Sequence, residues 1–168
     1  VTIDNPGSRD LDQAMHISRR PEGGYEVRYA LADAAYYVRP GSALHAEAMK
    51  RGVTHYFPGF NIPMLPPELS EGIVSLNEGE DRRAFAVVTT LDENGEVEGT
   101  RFERAKIRSQ KQLTYEGVQA YHDGENPALG GQPFTETLEL LQEVGDKRRA
   151  LSSEKDVVQI HREEARAT

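Results

Sequence analysis

The segment from residue 84 to residue 109 reads AFAVVTTLDENGEVEGTRFERAKIRS and carries the clearest fold signal in the chain. Two β-prone runs, 84–91 and 97–109, lie on either side of Asn94-Gly95. Asn-Gly is the strongest short-range indication of a β-hairpin, because both residues tolerate the positive φ angles that a tight turn needs. We therefore expect an antiparallel pair of strands here.

A first hairpin is predicted nearer the start of the chain. Residues 14–17 and 25–31 flank the sequence PEGG at 21–24, and alternating segments on either side of Gly-Gly are typical of a hairpin. A short strand is also expected at 1–4, where it ends at the turn-forming sequence NPGS. Together these segments predict a mixed, largely antiparallel sheet.

Helices are predicted to flank this sheet, which makes the fold class α+β. Ser42 is a suitable N-cap for a helix over 43–51 that ends at Gly52, and a Thr-capped short helix is expected over 114–121. A later helix is indicated by an apolar stripe, and residues 157–160 are expected to begin another strand. The stripe consists of Leu138, Leu141, Val144 and Leu151.

The proline-rich stretch over 56–67 predicts an ordered loop. Its prolines exclude a regular helix or a central strand, whereas its apolar side chains are unlike those of a flexible linker. We expect Ile62, Met64 and Leu65 to anchor it in the core.

Length and composition limit the possible functions. The 168 residues suit a single domain over 1–168, and 28 acidic against 20 basic residues give a net charge of −8. This balance argues against holding nucleic acid by bulk electrostatics. The absence of Cys excludes disulfides, thiolate zinc sites and Cys nucleophiles. No apolar run is long enough to span a membrane, and no signal peptide is evident at the start, so a cytoplasmic protein is expected.

Three aspartates near the start of the chain form a candidate metal site. Asp4, Asp10 and Asp12 lie within nine residues, and a turn at Pro6-Gly7 can fold the first back toward the other two. Converging carboxylates repel one another unless a cation joins them, and Mg²⁺ or Mn²⁺ prefers such oxygen ligands. The alternative is a solvated acidic turn, because Asp, Asn, Pro, Gly and Ser are common turn residues.

This acidic segment resembles the signature of the RNB-type catalytic domain of the ribonuclease II and ribonuclease R exoribonucleases. The signature reads TID, five residues, then DLD, and further blocks of the same family follow in order as far as residue 115. Those blocks are AD at 32–33, YVRPGSAL at 37–44, YFPGFNIPMLP at 56–66, LS at 69–70, SLNEGEDR at 75–82 and LTY at 113–115.

The resemblance implies hydrolytic 3′-to-5′ degradation of single-stranded RNA, with release of nucleoside 5′-monophosphates. It implies that Asp4, Asp10 and Asp12 bind Mg²⁺, or Mn²⁺, and that Asp10 and Asp12 are catalytic. The family has a fourth aspartate where this chain has Gln13. An amide is a neutral and weaker ligand, so Gln13 would hold a metal less tightly.

The same resemblance implies RNA-binding roles for two tyrosines. Tyr56 corresponds to a tyrosine that packs against the last nucleotides, and Tyr115 to an aromatic residue beside the 3′ end. Stacking on bases is independent of sequence, which suits a nuclease that degrades any RNA. For both residues the alternative is an ordinary aromatic residue of the core or its rim.

The resemblance covers the N-terminal half of the family's catalytic domain. The remaining half and the oligonucleotide-binding β-barrels are expected elsewhere in the full-length protein. Two other functions stay open: an RNA 3′-end-binding module with weak or no catalysis because of Gln13, and an acidic cation-binding protein unrelated to RNA. The basic side chains of Arg104, Lys106 and Arg108 would share one strand face and follow phosphates, or else protect a solvated edge strand.

Overall fold

Both predicted hairpins are present, and they join into one sheet. The computed structural model describes residues 1–154. The strands are β1 (Thr2–Asp4), β2 (Gln13–Arg19), β3 (Tyr25–Ala32), β4 (His55–Phe57), β5 (Phe60–Ile62), β6 (Asp81–Leu91), β7 (Val97–Arg108) and β8 (Gln112–Thr114). The four long strands pair antiparallel in the order β2–β3–β6–β7.

The predicted helices are confirmed, with their caps. The Ser42 hydroxyl accepts the His45 backbone N–H, Gly52 ends that helix with φ of 78°, and the Thr114 side chain accepts the Gly117 backbone N–H. The helices are α1 (Ala34–Tyr37), α2 (Ala43–Arg51), α3 (Tyr115–His122) and α4 (Thr135–Glu154), together with a π-helical turn over Glu68–Ile73 and a 3-10 turn over Pro127–Leu129. The strand expected at 157–160 lies outside the described residues.

A parallel pairing ties the start of the chain to a distant segment. Strand β1 lies beside β8, with Thr2 opposite Gln112 and Asp4 opposite Thr114. Because Thr114 caps α3, this pairing puts the first aspartate next to the beginning of that helix. The sheet structure is therefore mixed and largely antiparallel, and the α+β class is confirmed.

The two faces of the four-stranded sheet are covered by different elements. On one face α4 packs Leu140 and Val144 against Ile17, Tyr25 and Leu91. The other face is rich in alanine, and Leu11 and Leu76, which lie outside the strands, pack against it. Its cluster consists of Leu11, Ala14, Ala30, Leu76 and Ala84. A third cluster joins α3 and α4 through Leu113, Val118, Phe134 and Leu138.

The proline-rich stretch forms a small hairpin of its own. Strands β4 and β5 pair across Pro58-Gly59 as a separate two-stranded sheet. Leu65 is buried and Met64 half-buried, as expected, but Ile62 is 45% exposed, so its predicted core position is wrong. Ile62 lies on β5, whose three residues are all exposed, whereas Leu65 follows the hairpin and returns to the core.

No helix within residues 1–154 is long and apolar enough to cross a membrane.

Candidate active site

A tight turn folds the first aspartate over the acidic segment. The Ser8 backbone N–H donates to the Asn5 carbonyl at 3.1 Å, and Gly7 has a φ of 82°, which favours glycine. The Asp4 carboxylate accepts the Asn5 backbone N–H at 2.7 Å and the Ser8 hydroxyl at 3.0 Å. The predicted turn at Pro6-Gly7 is therefore confirmed, and the side chain of Asp4 stabilises it.

Buried Leu11 orients the two aspartates that flank it. Its side chain is 1% exposed in the core, its N–H donates to the Ser75 hydroxyl at 3.0 Å, and its carbonyl accepts the Leu76 N–H at 2.8 Å. Alternate residues of an extended segment point to opposite sides, so Asp10 and Asp12 lie on the side away from Leu11. They are half-buried and exposed, respectively.

Tyr56 brings the hairpin of β4 and β5 to the aspartates. Its hydroxyl donates to Asp10 Oδ2 at 2.6 Å. This hydrogen bond, with burial of the hydroxyl and the negative charges of all three aspartates, raises the pKa of Tyr56 to about 12. The charges of Asp4, Asp10 and Asp12 therefore act on one point. The side chain is 67% exposed, which excludes the alternative of a core tyrosine and leaves its ring accessible.

Gln13 begins β2 and is engaged by a neighbouring strand. The Tyr29 hydroxyl donates to Gln13 Oε1. Burial and the negative charge of Asp12 raise the pKa of Tyr29, so the hydroxyl remains a donor. The amide oxygen that would serve as a ligand is thus already a hydrogen-bond acceptor.

Tyr115 lies at the first position of α3 and lines a cleft together with Ile3 and Gln13, which are the chain neighbours of Asp4 and Asp12. It is 58% exposed, which excludes a core position. The cleft has a volume of about 610 Å³ and lies between the edge of the main sheet and helices α3 and α4. Its polar lining includes Gln13, Tyr29, Gln119, His122 and Arg149.

The three aspartates fit a hard divalent cation by the chemistry of their oxygens, since Mg²⁺ and Mn²⁺ bind carboxylates. Within residues 1–154, no three Asp, Glu, His or Cys side chains converge into a metal-binding group. Asp4 and Asp10 instead contact hydrogen-bond donors, and each of these contacts uses one of the two carboxylate oxygens. Binding of a cation would have to draw together carboxylates of which only Asp10 contacts the Tyr56 hydroxyl.

Two residues of the site could not be identified as such from the sequence. Ser75 is 1% exposed, accepts the Leu11 N–H and donates to the Arg9 carbonyl at 2.7 Å, so it holds both ends of the segment that carries Asp10. Its only signal was its place in the family block at 75–82. Tyr29 gave no signal beyond strand alternation, because its contact with Gln13 depends on the register of β2 and β3.

The chain was compared with known protein families, sequences and structures. The family model described as "RNB domain" matches residues 1–168. Ribonuclease R of Vibrio parahaemolyticus is 38% identical over 162 residues, with 92% of this chain and 19% of the relative covered. Ribonuclease R of Thermotoga maritima is 37% identical over 168 residues, with coverage of 95% and 24%.

A solved structure shares the fold. Mycoplasma genitalium RNase R in complex with double-stranded RNA superposes with a TM-score of 0.87 at 27% identity, over 92% of this chain and 27% of that chain. The chain thus spans about a fifth to a quarter of the length of the curated relatives it matches. Because the family model matches residues 1–168, and Tyr56 and Ser75 of the family blocks contact the acidic segment, the chain belongs to the RNB domain family of exoribonucleases.

Proposed function

We propose that the protein is a metal-dependent 3′-to-5′ exoribonuclease that hydrolyses single-stranded RNA to nucleoside 5′-monophosphates. The observation that carries this proposal is the hydrogen bond from the Tyr56 hydroxyl to Asp10, at a point where the charges of Asp4 and Asp12 also act, in a chain of the RNB family. The solved relatives support the substrate class, because the RNase R of Mycoplasma genitalium was also solved in complex with ribose-methylated single-stranded RNA. A cytoplasmic location belongs to the same proposal.

In this proposal Asp4, Asp10 and Asp12 would hold Mg²⁺ or Mn²⁺. When bound, the ion would supply activation of water and stabilisation of the charge on the scissile phosphate. The hydrogen bonds that join buried Leu11 to Ser75 and Leu76, here called the Leu11 clamp, keep Asp10 and Asp12 on the solvent side. The Asp4 side chain is restrained by the turn over 5–8, so little ordering is required of the acidic segment when substrate arrives.

Two tyrosines would hold the end of the RNA strand. The exposed ring of Tyr56 lies beside the carboxylates, where it can stack on a base near the scissile bond. Tyr115 and Gln13 both line the cleft of about 610 Å³, where Tyr115 can contact the terminal nucleotide. The remaining half of the catalytic domain and the oligonucleotide-binding barrels would complete the RNA path in the full-length protein.

The second candidate function is an RNA 3′-end-binding module with weak or no catalysis. The observation in its favour is that Gln13 replaces the fourth aspartate and that Tyr29 occupies its amide oxygen. This module would keep the stacking tyrosines and lose much of its affinity for metal. The third reading, a cation-binding protein unrelated to RNA, is disfavoured by membership of the RNB family.

Replacement of Asp12 by Asn tests the proposal and separates the two candidates. We expect the variant to lose hydrolysis by at least about 10²-fold and to keep its affinity for RNA, because a carboxylate that orders ion and water does not hold the strand. The measurement is product analysis with 5′-labelled single-stranded RNA, with and without Mg²⁺, alongside the Kd for the same RNA. Hydrolysis at the wild-type rate by the variant would contradict the metal site, and binding without hydrolysis by the wild type would favour the module.

A further inference from the structure

An exposed pair of phenylalanines lies on the sheet face that α4 covers only in part. Phe85 of β6 and Phe102 of β7 stack with ring centroids 5.9 Å apart and planes 15° apart. They are 39% and 65% exposed. Aromatic rings presented on an antiparallel sheet are accessible to flat ligands on that side.

Basic side chains surround this pair on the same face. Arg104 lies directly opposite Phe85, and Arg83 lies opposite Lys106. Arg83 places its guanidinium 3.7 Å from the centroid of the Tyr36 ring. Within residues 1–154, no carboxylate forms an ion pair with Arg104.

The charge of this region opposes that of the whole chain. Along the paired ends of β6 and β7, the face carries Arg83, Arg104, Lys106 and Arg108 against one acid, Asp81, which bonds Lys106 and Arg108. The chain has a net charge of −8. We call Phe85, Phe102, Arg83 and Arg104 the aromatic–basic surface. A local excess of cations beside exposed rings is complementary to a polyanion with flat bases.

The surface is continuous with the candidate active site. The sheet register aligns Gln13, Leu31, Phe85 and Arg104 in one row across the four strands. The next row aligns Met15, Tyr29, Val87 and Phe102. Neighbouring strands lie about 4.8 Å apart, so Arg104 lies roughly 14 Å from Gln13 along its row.

We infer that the aromatic–basic surface binds single-stranded RNA upstream of the end held at the aspartates. Bases stack on Phe102 and Phe85, while Arg104 and Arg83 contact phosphates. This inference rests on the proposed function, because it takes the same RNA strand as its ligand. It adds a second binding region, which favours long substrates over short ones.

The test is the Kd of single-stranded RNA, by fluorescence anisotropy, for Phe102→Ala and for the doubly substituted Phe85→Leu, Phe102→Leu protein. Two RNAs are used, of about 20 and about 5 nucleotides, in EDTA so that no hydrolysis occurs. We expect the long RNA to bind at least about fivefold more weakly, the lower limit for one lost stacking contact. Binding of the short RNA should stay unchanged. The leucines keep the surface apolar and so preserve folding.

Matched controls lie on the same strand. Val97→Ala removes an exposed apolar side chain of β7 away from the pair. Arg101→Gln makes the same charge change as Arg104→Gln but on the opposite face, where Arg101 contacts Glu26 at 3.1 Å. We expect Arg104→Gln to weaken binding of the long RNA and Arg101→Gln to leave it within twofold of wild type.

Two outcomes would overturn the inference. One is a Kd for the long RNA within twofold of wild type in both phenylalanine variants. The other is a fall in melting temperature with equal loss of binding to both RNAs, which would assign the face to packing against protein. Hydrolysis of the short RNA in Mg²⁺ by the wild type tests the proposed nuclease separately, since it needs no contact at the aromatic–basic surface.

Discussion

In the proposed metal site, Gln13 is the position at which we expect a substitution to change the affinity for metal. Gln13→Asp should lower the Mg²⁺ concentration for half-maximal hydrolysis by roughly tenfold, because it adds an anionic oxygen beside Asp12 and cannot keep the same bond to Tyr29. The measurement is a Mg²⁺ titration of initial rates.

Tyr29→Phe is the matched control for Gln13→Asp, since it removes the hydrogen bond to the Gln13 amide oxygen and adds no charge. We expect the control to shift the titration less than Gln13→Asp does. If the parent and Gln13→Asp titrate identically, Gln13 lies outside the ligand shell of the ion, and the case for a weakened site is lost.

Tyr56 combines a stacking surface with a hydroxyl that donates to Asp10. Tyr56→Ala removes both, whereas Tyr56→Phe keeps the ring. We expect Tyr56→Ala, but not Tyr56→Phe, to lengthen the limit product, which is the RNA that remains when degradation stops. The reason is that stacking contributes roughly 1 to 3 kcal/mol per base and short RNAs have few other contacts. Gel analysis of the final products, with melting temperatures, measures the effect.

The exposed position of Tyr56 predicts that neither substitution changes stability by more than about 0.5 kcal/mol. A product ladder that is the same for wild type and Tyr56→Ala would remove the stacking role. A large fall in melting temperature would instead show that the ring packs against another part of the protein.

At the scale of elements, Ser75 positions the acidic segment. Ser75→Ala leaves the Leu11 N–H without its acceptor in the core, which costs roughly 1 to 3 kcal/mol. Because Leu11 lies between Asp10 and Asp12, we expect kcat to fall while the Kd for RNA stays near wild type. Urea unfolding and single-turnover kinetics give the two quantities.

Ser70→Ala is the control for Ser75→Ala, because it also removes a serine hydroxyl, from the neighbouring π-helical turn. The hydrogen bond from the Ser70 hydroxyl to the Pro66 carbonyl is long, at 3.5 Å. This substitution should change neither measurement appreciably. A destabilised Ser75→Ala protein with unchanged kcat would show that the clamp serves stability alone.

Elements with local signals could be predicted from the sequence, whereas those that depend on distant pairing could not. Ser42 acts through a hydroxyl that caps its own helix, and Gly52 and Asn94-Gly95 act through their backbone geometry, so the helix and the hairpin follow from them. The parallel pairing of β1 with β8 joins residues more than a hundred positions apart. Nothing local encodes that pairing, and α1 is too short for a periodic pattern.

In the candidate site too, features with local signals could be predicted from the sequence, and features that depend on strand pairing could not. Pro6-Gly7 indicates the turn over 5–8, whereas the RNA-binding roles proposed for Tyr56 and Tyr115 rest on the family resemblance. The Tyr29–Gln13 contact requires the strand register, and exposure of Ile62 requires knowing that β4 and β5 form a separate hairpin. Hydrophobicity alone predicts burial for Ile62, which is why that expectation was wrong.

At the scale of the whole molecule, the net charge of −8 and the aromatic–basic surface predict opposite salt dependence for RNA binding. If bulk charge decided the affinity, added salt would screen the repulsion between protein and RNA, and binding would strengthen. If a few local cations contact phosphates, counterions are released on binding and affinity falls with salt.

We expect the local effect to prevail, because the phosphates would lie directly against Arg83 and Arg104, whereas salt screens exposed charges beyond about 10 Å at 0.1 M. Two phosphate contacts with a single strand predict a slope of log K against log [salt] of about −1.4. Arg104→Gln should make that slope less negative by about 0.7, the share of one contact, while Arg101→Gln on the opposite face should leave it unchanged. Anisotropy titrations from 50 to 300 mM KCl in EDTA measure all three slopes. A positive slope for the wild type would mean that overall repulsion governs the encounter, and equal slopes for the two arginine variants would move the phosphate contacts to another face.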